Sequence, residues 1–299
     1  MMQTDYLPEA AQVSTRQEIL EELKQIRDLP TLPAAFMRIL KALRDPKASA
    51  KEVALIIESD QAITMRVLRL INSSFFGLSR RVDSVLQAVV LLGSSTLKNV
   101  VVSASVFKAL GGDGKNNALN REAFWQHSIG CGAIARFLGN QINCGRDEEA
   151  LIGGVIHDIG KVVLDQYFHD NLLLVLKAAR ERQISFYQAE TEELSMTHGE
   201  IGSALADIWG LPPNLIEVIG SHHQPAIDSP HVRLVVLVQL ADALARQYHV
   251  GSGGDEQIPE IDPLVWPILG LDKSTVQQWD EAIKQEIARG QELLNVMLK

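Results

Sequence analysis

The chain has 299 residues, 46% of them hydrophobic and 22% charged, enough for one large or two medium globular domains. With 28 basic against 37 acidic residues the formal charge is -9, which excludes a broad nucleic-acid surface and leaves room only for a local basic cluster. Two cysteines, Cys131 and Cys144, exclude a disulfide framework and predict a cytoplasmic chain, and no apolar run reaches the roughly 20 residues of a membrane span.

Residues 1–14 read as a loose leader, and MMQTDYLPEA lacks the basic and apolar regions of a signal peptide. From Thr15, Ile19, Leu20, Leu23 and Ile26 recur at helical spacing until Pro30 and Pro33 stop the run. A second helix carries Phe36, Ile39, Leu40 and Leu43 and ends before Pro46. Ser49, with Glu52 three residues on, is a capping box for a third, which carries Val53, Ile56 and Ile57 to Asp60. Ile63, Val67, Leu70 and Ile71 form the apolar side of the next, closed by Gly77. Ser84–Leu92 is a short helix with Gly93 as its C-cap, and Ser95–Leu110 is another.

The stretch 111–117, GGDGKNN, punctuates the chain and predicts a lobe boundary. Beyond it follow the helix NREAFWQHSIGCGAIARFLGNQI, a helix carrying HDIGK, and an amphipathic helix over 171–182. Ser185 with Gln188 caps another; then come His198–Trp209 and a short helix ending at SHHQP. A long apolar helix over 231–249, a loop GSGGDEQIPEIDP and a closing helix over 274–297 complete the chain. No stretch alternates with period two, so the fold class is all-α with no sheet.

The chain is organised around LIGGVIHDIGKVVL, residues 151–164. Burying His157 beside Asp158 among Ile and Val costs several kcal/mol, about 2–7 for an unpaired neutral polar group and more for a charge, unless something pairs with them. A metal ion or a phosphate would do so; a His–Asp hydrogen bond at a helix end is the structural alternative. Further titratable groups sit in similar settings: His127 in FWQHSIGCGAIA, His198 at the start of a helix, His222 and His223 before Pro225, and Asp242 inside LVVLVQLADALA. His169, His231 and His249 lie beside polar or loop residues and read as surface groups. Imidazole and carboxylate together suit first-row divalent ions, Fe, Mn or Zn, and a carboxylate such as Asp158 can bridge two of them. Cys131, one turn after His127, reads as a small core residue before a soft extra ligand. Lys161 is placed either to steady a phosphate or to pair with Asp165.

The order His127, His157-Asp158, His198, His222-His223, Asp242 resembles the HD superfamily of metal-dependent phosphohydrolases, and HDIGK with the later HH resembles its HD-GYP phosphodiesterase branch. That resemblance implies one ion held by His127, His157, Asp158 and Asp242, and a second held by Asp158, His198, His222 and His223, with Lys161 on phosphate. Two departures stand out. HHQPAIDSP replaces the Gly-Tyr-Pro loop, and Ala123 replaces the Glu that supports a third ion, which argues against a trinuclear site.

The first half, LPTLPAAFMRIL, VALIIESDQAITMRVLRLINSSFFG and VDSVLQAVVLLGSSTLKNVVV, resembles the HDOD domain of bacterial signalling proteins, with Asp60, Arg66, Leu70, Asn72, Ser73 and Gly93 in its pattern. It implies an N-terminal helical lobe (15–110) packed on an HD-like metal-binding lobe (116–250), followed by a C-terminal extension (251–299). Asp60, Arg66, Arg69, Asn72 and Ser73 then form either a polar network joining the lobes or a ligand or partner groove. The implied function is a regulatory module that binds one or two divalent ions and acts on a signalling partner in trans, with a nucleotide or phosphate as a further ligand. The alternative is a metal-dependent phosphohydrolase of nucleotides or cyclic dinucleotides, in which Asp158 and Lys161 would be catalytic.

Overall fold

The structure is a computed structural model, and it describes residues 14–25, 49–73, 75–110 and 118–297. The expected helix around Phe36–Leu43, the 1–13 leader and the 111–117 boundary lie outside the described residues. Within them every regular element is helical and no strand occurs. No helix among the described residues is long and apolar enough to cross a membrane.

α1 (Arg16–Gln25) buries Ile19 and Leu23 and lies against the later helix His198–Ile208, which it also reaches through an Arg16–Glu200 ion pair. α2 (Ala50–Glu58) begins at the expected Ser49–Glu52 capping box, and Asp60 caps α3 (Gln61–Ile71) by accepting the Ile63 N–H at 3.0 Å. Such caps are worth about 1 kcal/mol each. Val85–Leu110 runs as α4, interrupted at Gly93, whose φ of 80° and ψ of 161° end one helix and start the next, as its C-cap position predicts.

Asn120 caps α5 (Arg121–Gln141), after which come α6 (Asp147–Ile156), α7 (Ile159–Tyr167) and α8 (His169–Arg182). The HDIGK segment is therefore not inside one helix: His157 and Asp158 are the joint between α6 and α7. α9 (Phe186–Leu194) and α10 (His198–Ile208) start at capping boxes, Ser185–Gln188 and Thr197–Glu200, and α11 (Pro213–Ser221) has proline in its first turn.

α12 (Val232–Gln247) is buried from Leu234 to Ala245 without interruption because α5, α6, α11 and the C-terminal helices surround it, which is why it reads as apolar all round. α13 (Val265–Leu269) follows the loop, and the closing helix expected over 274–297 is divided at Trp279 into α14 (Lys273–Gln278) and α15 (Asp280–Met297). One core cluster runs from α1 through α4 to α11; a second gathers α5, α12 and the C-terminal helices.

The polar residues Asp60, Asn72 and Ser73 serve their own neighbourhood rather than joining the two halves. Asn72 brackets Val82, and Ser73 Oγ donates to the Leu70 carbonyl at 2.6 Å. Besides the Arg16–Glu200 pair, Arg136 of α5 makes a polar link between the halves. Its guanidinium lies 3.8 Å from the Phe75 ring centroid, donates to the Phe75 carbonyl and approaches Glu286 of α15 at 3.8 Å. α4 packs on α6, whose C-terminus delivers His157.

Candidate metal centre

Helix ends and the interiors of two helices bring together every residue singled out for metal binding. His127 comes from mid-α5, His157 and Asp158 from the α6–α7 joint, His198 from the first turn of α10, His222 and His223 from the end of α11, and Asp242 from mid-α12. All are buried except His223, which is half-buried. The close approach of α7 to α10 requires Gly160, because a Cβ there would collide with the His198 carbonyl oxygen.

Two groups share Asp158. His127, His157 and Asp158 form one; Asp158, His198, His222 and His223 form the other, each with its ligating atoms within 4.8 Å of one another. Asp242 Oδ1 adjoins the first group, 3.0 Å from His127 Nε2 and 3.8 Å from His157 Nε2. Asp158 Oδ1 lies 3.0 Å from His198 Nε2 and 3.7 Å from His222 Nε2. His198 Nε2 is 3.2 Å from Nε2 of both His222 and His223.

Hydrogen bonds on the far side of three of the rings set their directions. His157 Nδ1 faces the Gly154 carbonyl at 2.7 Å, His222 Nδ1 the Ile219 carbonyl at 2.9 Å, and His198 Nδ1 the Glu190 carboxylate at 2.6 Å. With a proton on each Nδ1, the Nε2 lone pairs point inward, the arrangement that orients imidazole ligands in metal sites. His127 Nε2, His157 Nε2 and Asp158 Oδ1 are buried with no hydrogen-bond partner among the described residues. Nitrogen and oxygen atoms converging in this way fit a cation that takes the place of the protons they share, and the donor set suits a first-row divalent ion.

Glu190 carries no motif signal, yet it is fully buried on α9 and also accepts the His198 backbone N–H at 2.9 Å. Its position could have been found: Phe186, Ala189, Glu190 and Leu194 share the inward face of α9.

Two internal cations also touch the carboxylates. Lys161 Nζ donates to Asp158 Oδ2 at 2.7 Å and sits 4.9 Å from the Phe186 ring centroid. Its expected alternative partner, Asp165, instead binds Arg121 at 2.8 Å and accepts the Ala118 N–H. Arg246, one turn after Asp242, donates Nε to Asp242 Oδ1 at 3.2 Å and Nη1 to Asp255 Oδ1 at 3.0 Å. Asp255 belongs to the glycine-rich loop, which folds over the centre. Gly251, at φ +60°, lies where a Cβ would strike the Ala123 carbonyl, and Ser252 N donates to that same oxygen. Cys131 is a core residue, its thiol 3.9 Å from the Val238 carbonyl and outside both ligand groups.

Burial opposes charge on every group here, and the neighbours decide the outcome. Against burial, His157, Lys161 and His198 hold the Asp158 carboxyl well below its usual value, and Arg246 and His127 do the same for Asp242. His198 is raised because Glu190 and Asp158 outweigh burial, and His157 is raised by Asp158 and Cys131. Burial lowers His127 and His223 and takes His222 down to about 4.

Two openings reach the centre. A cavity of about 410 Å³ is lined by Lys161, His223, Arg246 and Asp255, and another of about 620 Å³ by Gly220, His222 and His223. Tyr187, whose ring is tilted over His223 at 4.5 Å, borders both.

The HDOD domain family matches residues 29–225. An uncharacterized protein of Treponema pallidum (strain Nichols) is 28% identical over 240 residues, which is 79% of this chain and 45% of that protein, so the chain spans less than half the length of this relative. Among solved structures, an HDOD domain protein of unknown function from Geobacter sulfurreducens superposes with a TM-score of 0.76 at 28% identity, covering 93% of this chain and 98% of that one. A candidate signal transduction protein of Marinobacter aquaeolei VT8 gives 0.74 at 25% identity, covering 96% and 63%. With two thirds of its length matched and the same all-helical fold, the chain belongs to the HDOD domain family.

Proposed function

We propose that this protein is a signal-transduction module whose HD-like half holds one or two divalent metal ions and whose output is a conformation read by a protein partner. His127, His157, Asp158 and Asp242 would hold one ion, and Asp158, His198, His222 and His223 the other. The observation that carries this reading is the convergence of inward-facing Nε2 atoms on Asp158, with the His157 and His222 rings fixed from behind by carbonyls and the His198 ring by Glu190. The lobe organisation, 15–110 against 116–250 with 251–299 beyond, serves the same reading: α4 rests on α6, so a shift in the first half reaches His157 directly. The similarity to the Marinobacter protein supports signalling.

A specific observation also favours a phosphohydrolase. The cavity beside the centre has Lys161, His223 and Arg246 in its lining, together with Asp255 and Glu260, and these basic groups would meet the anionic oxygens of a phosphate ester. Ions bound in this centre would supply a hydroxide at neutral pH and neutralise charge on phosphate. In that reading Lys161 orients the ester while Asp158 is shared between the ions.

Elemental analysis of the protein purified without added metal, beside Asp158→Ala, tests the centre. One or two equivalents of Fe, Mn or Zn, lost in the variant, is the expected result. No metal in either protein after reconstitution with each ion refutes it. Metal-dependent turnover of phosphodiesters would select the phosphohydrolase; full metal occupancy without turnover would select the signalling module.

A further inference from the structure

A second cavity lies outside the metal centre, in the first half of the chain. Between Arg66 and Asp83 the sequence RVLRLINSSFFGLSRRVD carries Arg66, Arg69, Arg80 and Arg81 against the single acid Asp83, in a chain whose net charge is -9. The Asn72 side chain folds the two ends of this stretch together. Its Oδ1 accepts the Val82 N–H at 2.7 Å, and its Nδ2 donates to the Val82 and Leu68 carbonyls, both at 2.8 Å. The return segment is thereby pinned to the last turn of α3, and a cleft of about 870 Å³ is left beside it.

Met65, Leu68 and Leu78 supply apolar surface in this cleft, and Arg69, Arg80 and Arg81 supply cations. Arg81 is paired with Asp83 at 3.1 Å, whereas Arg69 and Arg80 make no ion pair with any described residue. Unpaired guanidiniums at a preformed cleft match a phosphate, because the planar fork binds two oxygens at once. The volume falls within the range of about 300–1,000 Å³ of small-ligand sites and is far larger than phosphate itself. The apolar surface therefore needs an apolar or aromatic body attached to the anion. A nucleic-acid strand is disfavoured, since a strand needs a long run of cations and the chain as a whole carries a net charge of -9.

We propose that this cleft is a nucleotide-binding site, with Arg69 and Arg80 on the phosphates and the base against Met65, Leu68 and Leu78. It shares no residue with the centre around Asp158, and the two readings stand or fall separately. The cleft is also placed to act on that centre, because Phe75, inside the same return segment, is clasped by Arg136 of α5, the helix that carries His127.

Calorimetric titration of the full chain with ADP and GDP, in EDTA and at near-physiological salt, tests the proposal. We expect saturable binding of at least one of the two, near one equivalent, weakened at least tenfold by Arg69→Gln and by Arg80→Gln. Both residues are exposed and the variants should keep the wild-type circular dichroism. Adenosine, guanosine and inorganic pyrophosphate should each bind at least tenfold more weakly than the nucleotide. Absence of binding by both nucleotides overturns the proposal. So does binding that survives both arginine substitutions, or that appears only when metal is restored and disappears in Asp158→Ala, which would place the nucleotide at the metal centre. Equal binding of pyrophosphate alone also overturns it, since the base would then contribute nothing.

Discussion

Glu190→Gln is the most discriminating change available at the metal centre, because it alters one atom of a side chain that never meets the ion. Both Glu190 oxygens are used, Oε1 accepting the His198 backbone N–H at 2.9 Å and Oε2 facing His198 Nδ1 at 2.6 Å, and the residue is fully buried. Glutamine has one acceptor for these two positions. If its oxygen stays on Nδ1, its NH2 confronts the backbone N–H. If it turns, its NH2 donates to Nδ1 and drives the ring proton to Nε2, toward Asp158. Either way a charge-assisted bond is lost and a buried donor or lone pair is misdirected, which costs about 2–3 kcal/mol in the metal-free protein. Outer hydrogen bonds of this kind change metal affinity by roughly 10–100-fold, or about 1.4–2.8 kcal/mol. Chelator competition for Mn and Zn measures the affinity, and urea denaturation of the EDTA-treated protein measures the stability. Glu200→Gln is the control, because it keeps an N3 acceptor for the Thr197 capping box on the outer side of the same helix. Glu190→Gln with affinity within twofold of wild type would refute the orienting role.

Asp158→Ala leaves Lys161 as a buried, unpaired ammonium, so the metal-free variant should lose about 3–5 kcal/mol, and adding Lys161→Met should recover part of it; equal urea midpoints for the single and double variants would contradict this. His222 should make the metal-free protein acid-sensitive. Its folded pKa of about 4 lies below the unfolded value near 6.5, so its contribution is fully present above pH 6.5 and is lost as pH falls toward 4. At about 1.4 kcal/mol per pH unit this amounts to about 3 kcal/mol. EDTA-treated His222→Asn should therefore lose less stability than wild type between pH 7 and 4.5 in urea titrations, and parallel losses would count against the assignment. Gly160→Ala forces α7 away from the His198 carbonyl and should cost at least about 3 kcal/mol while weakening metal binding; a wild-type melting curve would show that the two helices are not so closely held.

The helices with a defined start were legible in the sequence. Ser49–Glu52, Ser185–Gln188 and Gly93 are local signals, and local chemistry settles them. So were the metal candidates, since a histidine or aspartate in an apolar run stands out wherever the helices dock. Other features were set by docking. The break at His157–Asp158 has apolar residues on both sides and no glycine or proline at the joint, so the sequence reads as continuous helix. Lys161 had two acids within helical reach, and only the position of Arg121 leaves Asp158 as its partner. Arg136 finds Phe75 at a separation of 61 positions, which no periodicity reports. Glu190 and Arg246 are different: each occupies the buried face of its helix, so a charged residue at an inward register was a readable sign that something inside needed its charge.

Charge accounting separates the two functional readings. Asp158 and Asp242 each already meet an internal cation, Lys161 or Arg246, and Arg246 has Asp255 as a second partner. In the metal-free protein His157 and His198 are shifted toward their protonated forms, stabilised by Asp158 and Glu190. A first divalent ion that displaces those two protons leaves the buried charge unchanged, and so it can enter a closed centre. A second ion adds two positive charges that nothing in the chain offsets, because His127, His222 and His223 are already held toward their neutral forms by burial. Occupancy by two ions therefore calls for an anion from outside, and the cavity lined by Lys161, His223 and Arg246 is where one would arrive. A module that works through one ion needs no such ligand; a phosphohydrolase does. Metal stoichiometry with and without phosphate in the buffer therefore bears on function as well as on binding.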